Sequence, residues 1–148
     1  MKQRRYERIN SALLGDTRAQ SWSNLGLWQT GQHDYRAAAH ALAMQLATQM
    51  PLQAASSLLD VACGYGASLN VWHELGIADI TGLEPQTACV QAWQSDPRFH
   101  CWHDTMQNLG QRAQGKSIDA IIAIDAAYQW DLQLWLQQAH ATLSPNGR

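Results

Sequence analysis

The sequence predicts an α/β fold: a parallel sheet flanked by helices, with a ligand crevice at the carboxyl ends of its strands. The first observation behind this is the stretch Ser57-Leu58-Leu59-Asp60-Val61-Ala62-Cys63-Gly64-Tyr65-Gly66. Its apolar part reads as a short strand buried on both faces. A Gly-x-Gly turn and a helix-like stretch, Ala67 to Leu75, follow it. Glycine lets the backbone turn sharply and lets a ligand approach with no Cβ in the way, so strand, glycine turn and helix form a nucleotide-type pocket. An ordinary tight βα turn fits the Gly-x-Gly pair equally well. The second observation is that four strand-like runs end in acids, Asp60, Glu84, Asp104 and Asp125. Ligands of open parallel sheets bind outside the carboxyl ends of the strands, so these acids converge on one crevice. Four acids so placed are a more specific signal than the glycines.

In chain order, Met1 to Gly15 reads as a short helix with Ile9, Leu13 and Leu14 as its apolar face and Gly15 as its stop. Ser21 to Trp28 is polar and aromatic without a period, so it is read as a loop. Asp34 to Met50 is the strongest helix. Tyr35, Ala38, Leu42 and Leu46 keep helical spacing, Ala39 and Ala43 lie alongside, and Pro51 ends it. The helix after the glycine turn closes at Gly76, and its first amides suit a carboxylate. Ile80 to Leu83 forms the second strand. Thr87 to Ser95 is a short helix ended by Asp96-Pro97. Phe99 to Asp104 is the third strand. Alternation puts Cys101 and His103 on one face and His100 on the other, so no metal site is expected there. Asp119 to Asp125 carries the fourth strand, with Ala120 to Ile124 as its buried run. Asp131 caps a last helix whose buried side is Leu132, Trp135, Leu136, Ala139 and Leu143.

Composition narrows the class. The 148 residues suffice for one domain with a real core, and 46% hydrophobic against 15% charged residues describes a globular chain. A net charge of −2 supplies no basic field for nucleic acid. Lys2, Arg4, Arg5 and Arg8 make a small basic N-terminus, but no apolar core follows, so no signal peptide is expected. No apolar run reaches the length of a membrane span. Cys63, Cys89 and Cys101 contain no Cys-x-x-Cys pair and fit reduced thiols in a cytoplasm. Of the seven tryptophans most are expected in the core, and some can line a pocket for a flat or apolar ligand.

The run Leu59-Asp60-Val61-Ala62-Cys63-Gly64-Tyr65-Gly66 resembles the first motif of class I S-adenosylmethionine (SAM) dependent methyltransferases. Glu84 lies 18 residues beyond Gly66, where an acid accepts both ribose hydroxyls in either a dinucleotide or a SAM site. The third glycine of the dinucleotide fingerprint is missing, since Leu69 stands in its place. The resemblance implies a Rossmann-like methyltransferase fold with residues 34–148 as the SAM-binding domain, and residues 1–33 as an N-terminal helix and lid-like segment. It implies cofactor contacts from Asp60, Ala62, Gly64, Gly66, Glu84, Pro85, Asp104, Thr105 and Asp125, with Asp104 accepting from the adenine amino group. Asn24-Leu25-Gly26-Leu27-Trp28 resembles an element that forms part of a lid in some small-molecule methyltransferases, which would bring Trp28 to the cofactor; an aromatic plug on the outside of the fold is the alternative. Asp125-x-x-Tyr128 shares spacing with the Asp/Asn-Pro-Pro-Tyr motif of amino methyltransferases but lacks its prolines, which counts against nucleic acid or protein as acceptor. Tyr128 is the expected acceptor-side contact.

The family sheet has seven strands in the order 3-2-1-4-5-7-6, and this sequence supplies strands for 3-2-1-4 only. Strands 5 to 7 are absent, so the edge of the fourth strand is expected to be bare, a template for aggregation or for pairing with another chain. The expected activity is methyl transfer from SAM to a small molecule. Two other readings stand beside it: a non-catalytic truncated SAM-binding remnant or interaction module, and an NAD(P)-dependent oxidoreductase.

Overall fold

The computed structural model describes residues 9–50, 52–53 and 56–148. The basic cluster Lys2 to Arg8, most of the expected first helix and Pro51 lie outside the described residues. Four parallel strands form one sheet in the order β3-β2-β1-β4, the order the sequence predicts. They are β1 (Ser57–Val61), β2 (Asp79–Leu83), β3 (Phe99–Trp102) and β4 (Ala120–Ile122). Residues of β1 pair in register with β2 from Ser57–Asp79 to Val61–Leu83, and with β4 from Leu58–Ala120 to Asp60–Ile122. Every residue of β1 is buried, as its unbroken apolar run requires of a central strand.

Helices α1 (Tyr35–Thr48), α2 (Ala67–Glu74), α3 (Thr87–Val90), α4 (Leu109–Arg112) and α5 (Leu132–Thr142) flank the sheet. Asp34 caps α1 by accepting from the Ala37 amide, and Asp131 caps α5 by accepting from Leu134. Two apolar clusters sandwich the sheet. One joins Trp22, Tyr35, Trp72, Ile80 and Trp93, and the other joins Leu59, Val61, Leu83, Trp102 and Leu109.

Several expected boundaries give way to local packing. Among residues 9–15 there is only a short 3-10 turn, Ser11–Leu14; Leu13 and Leu14 are exposed, and Ile9 alone of the expected face packs on the core. The helix expected over Thr87 to Ser95 stops at Val90 and continues as turns, which carry Trp93 inward. Pairing of β3 ends at Trp102, and β4 is three residues long, because the chain beyond each turns into the crevice wall. The short helices over residues 106–112 were not expected; Met106 and Leu109 supply their buried side. On α5 the buried face is rotated: Leu132 and Leu136 point outward, while Leu134 and Trp135 pack on the second cluster and Thr142 is buried.

The bare edge expected at β4 is partly closed. The turn Ser144 to Gly147 returns the chain, so that the Ile121 amide donates to the Arg148 carbonyl (2.8 Å) and the Arg148 amide donates to the Asp119 carbonyl (2.9 Å). Arg148 thus lies along the outer side of β4, and Ile122 is buried. No helix among the described residues is long and apolar enough to cross a membrane.

Candidate functional site

A cavity of about 420 Å³ opens at the carboxyl ends of the strands. Val61, Ala62 and Gly64 from the end of β1, and Leu83, Glu84, Pro85 and Gln86 from the end of β2, form its floor and one wall. Thr105, Met106 and Gln107 after β3, and Ile124, Asp125 and Ala126 after β4, form another. Ser23 and Leu25 of the N-terminal loop reach it from outside the sheet, and Tyr128, Gln129 and Trp130 stand at the far side. This is where β1, between β2 and β4, separates the two directions of winding, the usual ligand position in such sheets. The volume lies in the range of small-molecule and cofactor sites.

The glycine turn is built for this place. Gly64 (φ 58°) and Gly66 (φ 81°) both take the left-handed conformation. Glu84, only 3% exposed, holds the turn: its carboxylate accepts from the Gly64 amide and from the Gln86 amide, both at 3.0 Å. The Trp93 indole donates to the Gly64 carbonyl (3.0 Å) from behind. Among the described residues, two that are not glycine have positive φ, Ala62 (61°) and Asp125 (55°), and both lie at strand ends in the cavity wall. Backbone held in so sparsely populated a region is characteristic of ligand sites.

The expected site residues fall into two groups. Ala62, Gly64, Glu84, Pro85, Thr105, Asp125 and Tyr128 line the cavity. Asp60, Gly66, Asp104 and Trp28 do not. Asp60 is buried beside a small void of about 20 Å³ bounded by Ser21, Ser23, Asn24 and Ser68. One of its oxygens accepts from the Trp72 indole (2.7 Å), and the other, Oδ1, has no hydrogen-bond partner. Burial pushes this carboxyl up to about 6, against the opposing pull of Ser68 and Trp72. Gly66 starts α2, and a Cβ there would strike the Trp93 ring, so close helix packing is what its missing side chain serves. Asp104 accepts from the Thr105 amide, the Asn108 side chain and Arg112 at 2.7–2.8 Å, so it organises the turn into α4 and pairs with a surface arginine. These contacts hold its carboxyl below the usual range, the Asn108 bond foremost. Trp28 is half-exposed, and its indole donates to the Leu25 carbonyl (2.8 Å).

Sequence reasoning missed Ser23, Gln86, Gln107 and Trp130 as wall residues. Gln86 and Gln107 follow strand-end motifs by two or three positions, and that adjacency was the available signal. Ser23 and Trp130 arrive from segments whose position depends on tertiary packing. Leu69, where a dinucleotide site wants a small residue, is fully buried in the core against the position a Gly82 Cβ would take. The four-stranded parallel sheet, with a glycine turn after its first strand and an acid at the end of its second, defines an α/β domain with a crevice at the carboxyl ends of its strands.

More particularly, the chain belongs to a family of methyltransferase domains, whose model matches residues 58–147. No curated protein sequence matches the chain significantly. Among solved structures it is similar to geranyl diphosphate methyltransferase in complex with GPP and sinefungin, with 16% identity and a TM-score of 0.72, over 92% of this chain and 57% of that one. It is similar to geranyl diphosphate C-methyltransferase of Streptomyces coelicolor A3(2), with 16% identity and a TM-score of 0.70, over 93% of this chain and 59% of that one. It is also similar to the glycopeptide N-methyltransferase MtfA complexed with SAM, with 19% identity and a TM-score of 0.59, over 71% and 50%. The chain therefore spans half to three-fifths of the length of these structures.

Proposed function

We propose that this chain is the cofactor-binding part of a SAM-dependent methyltransferase that acts on a small molecule. The observation that carries the reading is the cavity at the strand ends, bounded by the Gly64 turn and by the buried carboxylate of Glu84. When bound, SAM supplies an electrophilic methyl on a sulfonium. The Glu84 carboxylate would accept both ribose hydroxyls, while Ala62, Gly64, Pro85 and Thr105 would shape the wall around the nucleoside. The Glu84 carboxylate in the cavity wall makes an acidic setting that favours a cationic ligand. In-line methyl transfer asks the protein chiefly for proximity and orientation. Tyr128, 72% exposed at the mouth with its hydroxyl accepting from Gln129, is positioned to meet an acceptor there.

In this reading residues 1–33 supply the cover and residues 34–148 the SAM-binding domain. Cys63, Cys89 and Cys101, none of them in a disulfide, suit a reducing cytoplasm, and the outer side of β4 is a place for a further strand or a second chain. Calorimetric titration with SAM and S-adenosylhomocysteine tests the cofactor assignment. Glu84→Gln and Glu84→Ala are each expected to weaken binding about tenfold or more, since a charge-assisted pair contributes about 1.5–3 kcal/mol. Because Glu84 also holds the Gly64 amide, urea denaturation accompanies each titration. A Glu84→Gln chain of wild-type stability that binds SAM as tightly as wild type would remove the assignment.

A further inference from the structure

Residues 21–28 cross the carboxyl ends of β1 and β4 as a strap, and their hydrogen bonds divide into two sets. One set ties the strap to its own N-terminal neighbourhood. The Trp22 amide donates to Asp16 (2.9 Å), the Tyr35 hydroxyl donates to the Asn24 carbonyl (2.8 Å), and the Leu27 amide donates to the Ala38 carbonyl (2.8 Å). The other set reaches the end of the sheet: the Leu25 amide donates to Asp125 Oδ2 at 2.7 Å, across a hundred residues of sequence. The rest of the strap's geometry agrees with a closed cover. Ser23 lies over Gly64 so closely that a Cβ on that glycine would strike its hydroxyl, and Ser23 and Leu25 both form cavity wall. Asp125, just beyond β4, is held with φ 55°, in the sparsely populated left-handed region.

We propose that Asp125 is a positioning residue that latches the strap shut over the cavity by accepting the Leu25 N–H, rather than a direct ligand of the cofactor. The proposal rests on the cofactor assignment for its consequence, retention of the nucleoside, but not for the latch itself. A carboxylate that serves as a hydrogen-bond acceptor can be replaced by an amide oxygen, whereas one that serves through its charge cannot. Asparagine tolerates the left-handed conformation, and glycine adopts it freely while carrying no acceptor. Asp125→Asn and Asp125→Gly therefore separate the two roles with little backbone strain.

Amide hydrogen exchange on the full chain without cofactor reads the latch. The Leu25 amide is expected to exchange about tenfold faster in Asp125→Gly than in wild type, with amides of β1 and β2 unchanged, and Asp125→Asn is expected to stay near wild type. Stopped-flow release of S-adenosylhomocysteine reads the consequence: faster from Asp125→Gly, close to wild type from Asp125→Asn. Unchanged Leu25 exchange in Asp125→Gly overturns the proposal. So does release from Asp125→Asn as fast as from Asp125→Gly, since that would make the charge the active feature. If wild type bound no S-adenosylhomocysteine the cofactor assignment would fall, and the exchange comparison alone would still decide the latch.

Discussion

Asp60 is the residue with the most tension in it. It is 1% exposed, bonded through one oxygen to Trp72, and unpartnered through the other. Its carboxyl sits at about 6 rather than 3.8, chiefly through burial. The folded chain therefore holds this proton to higher pH than the unfolded chain does, so the contribution from Asp60 is fullest below about 4 and is lost as pH rises to about 6. An ionised Asp60 at neutral pH costs the fold up to roughly 3 kcal/mol, at 1.36 kcal/mol per pH unit. Asp60→Asn keeps an acceptor for Trp72 and is expected to gain about 1–3 kcal/mol at pH 7.5 but only about a third of that at pH 4.5. Urea denaturation of both proteins at the two values checks this; an equal difference at both would show that the proton on Asp60 is not the cause. Asp16 acts in the opposite sense. Burial raises its carboxyl, but the paired Arg18 and the Trp22 amide overcome that and hold it below the usual range. Its contribution is present above about pH 4 and is lost in acid. The sequence placed Asp60 in the site by motif, whereas its missing partner and its distance from the main cavity are properties of the packed structure alone.

At the scale of elements, the β1–α2 turn shows two glycines doing different work. At Gly66 a Cβ would lie 2.6 Å from Trp93 Cδ1 and 2.8 Å from Cγ, against the body of a buried ring that cannot move aside. At Gly64 the obstacle is the Ser23 hydroxyl, the end of a side chain that can rotate. Both substitutions incur the left-handed penalty of about 1–2 kcal/mol. Gly66→Ala adds overpacking of about 1–3 kcal/mol and should be clearly the less stable protein. Thermal or urea denaturation of the two variants decides it, and equal losses would contradict the assignment of Gly66 to helix packing. The Gly-x-Gly spacing was legible at once, but not this division of labour, because Trp93 comes from a segment read as helix that in fact turns inward. Element ends failed for a related reason. The runs Phe99 to Asp104 and Asp119 to Asp125 look like strands over their full length, yet β3 stops pairing where β2 ends, and β4 leaves β1 at Asp60, one residue before β1 ends.

At the scale of the whole molecule, the outer side of β4 and the outer face of α5 expose an open strand edge and apolar side chains. Arg148 pairs with β4 at Asp119 and Ile121, while Ala123 and Ile124 beyond it have no ladder partner among the described residues. Leu132 and Leu136, one turn apart on α5, are 62% and 57% exposed. An open strand edge and adjacent exposed leucines favour association. The 148-residue chain is expected to show a mass that rises with concentration in sedimentation equilibrium, and Leu132→Lys with Leu136→Lys is expected to reduce that rise without changing the circular dichroism spectrum. A wild-type chain that stays monomeric at high concentration would show that these surfaces do not pair. What the sequence by itself determined is the part governed by short-range pattern: the four strand runs, the glycine turn, the acid at the end of β2, and the capped helices α1 and α5, the strand order being implied by the family resemblance. Apolar period, caps and turn residues act over a few positions, so they can be read without coordinates. Only the tertiary structure decided which strand-end acids face the cavity, which face of α5 is buried, and that Leu25 meets Asp125. Each of these depends on how segments distant in sequence pack against one another, and no local pattern encodes that.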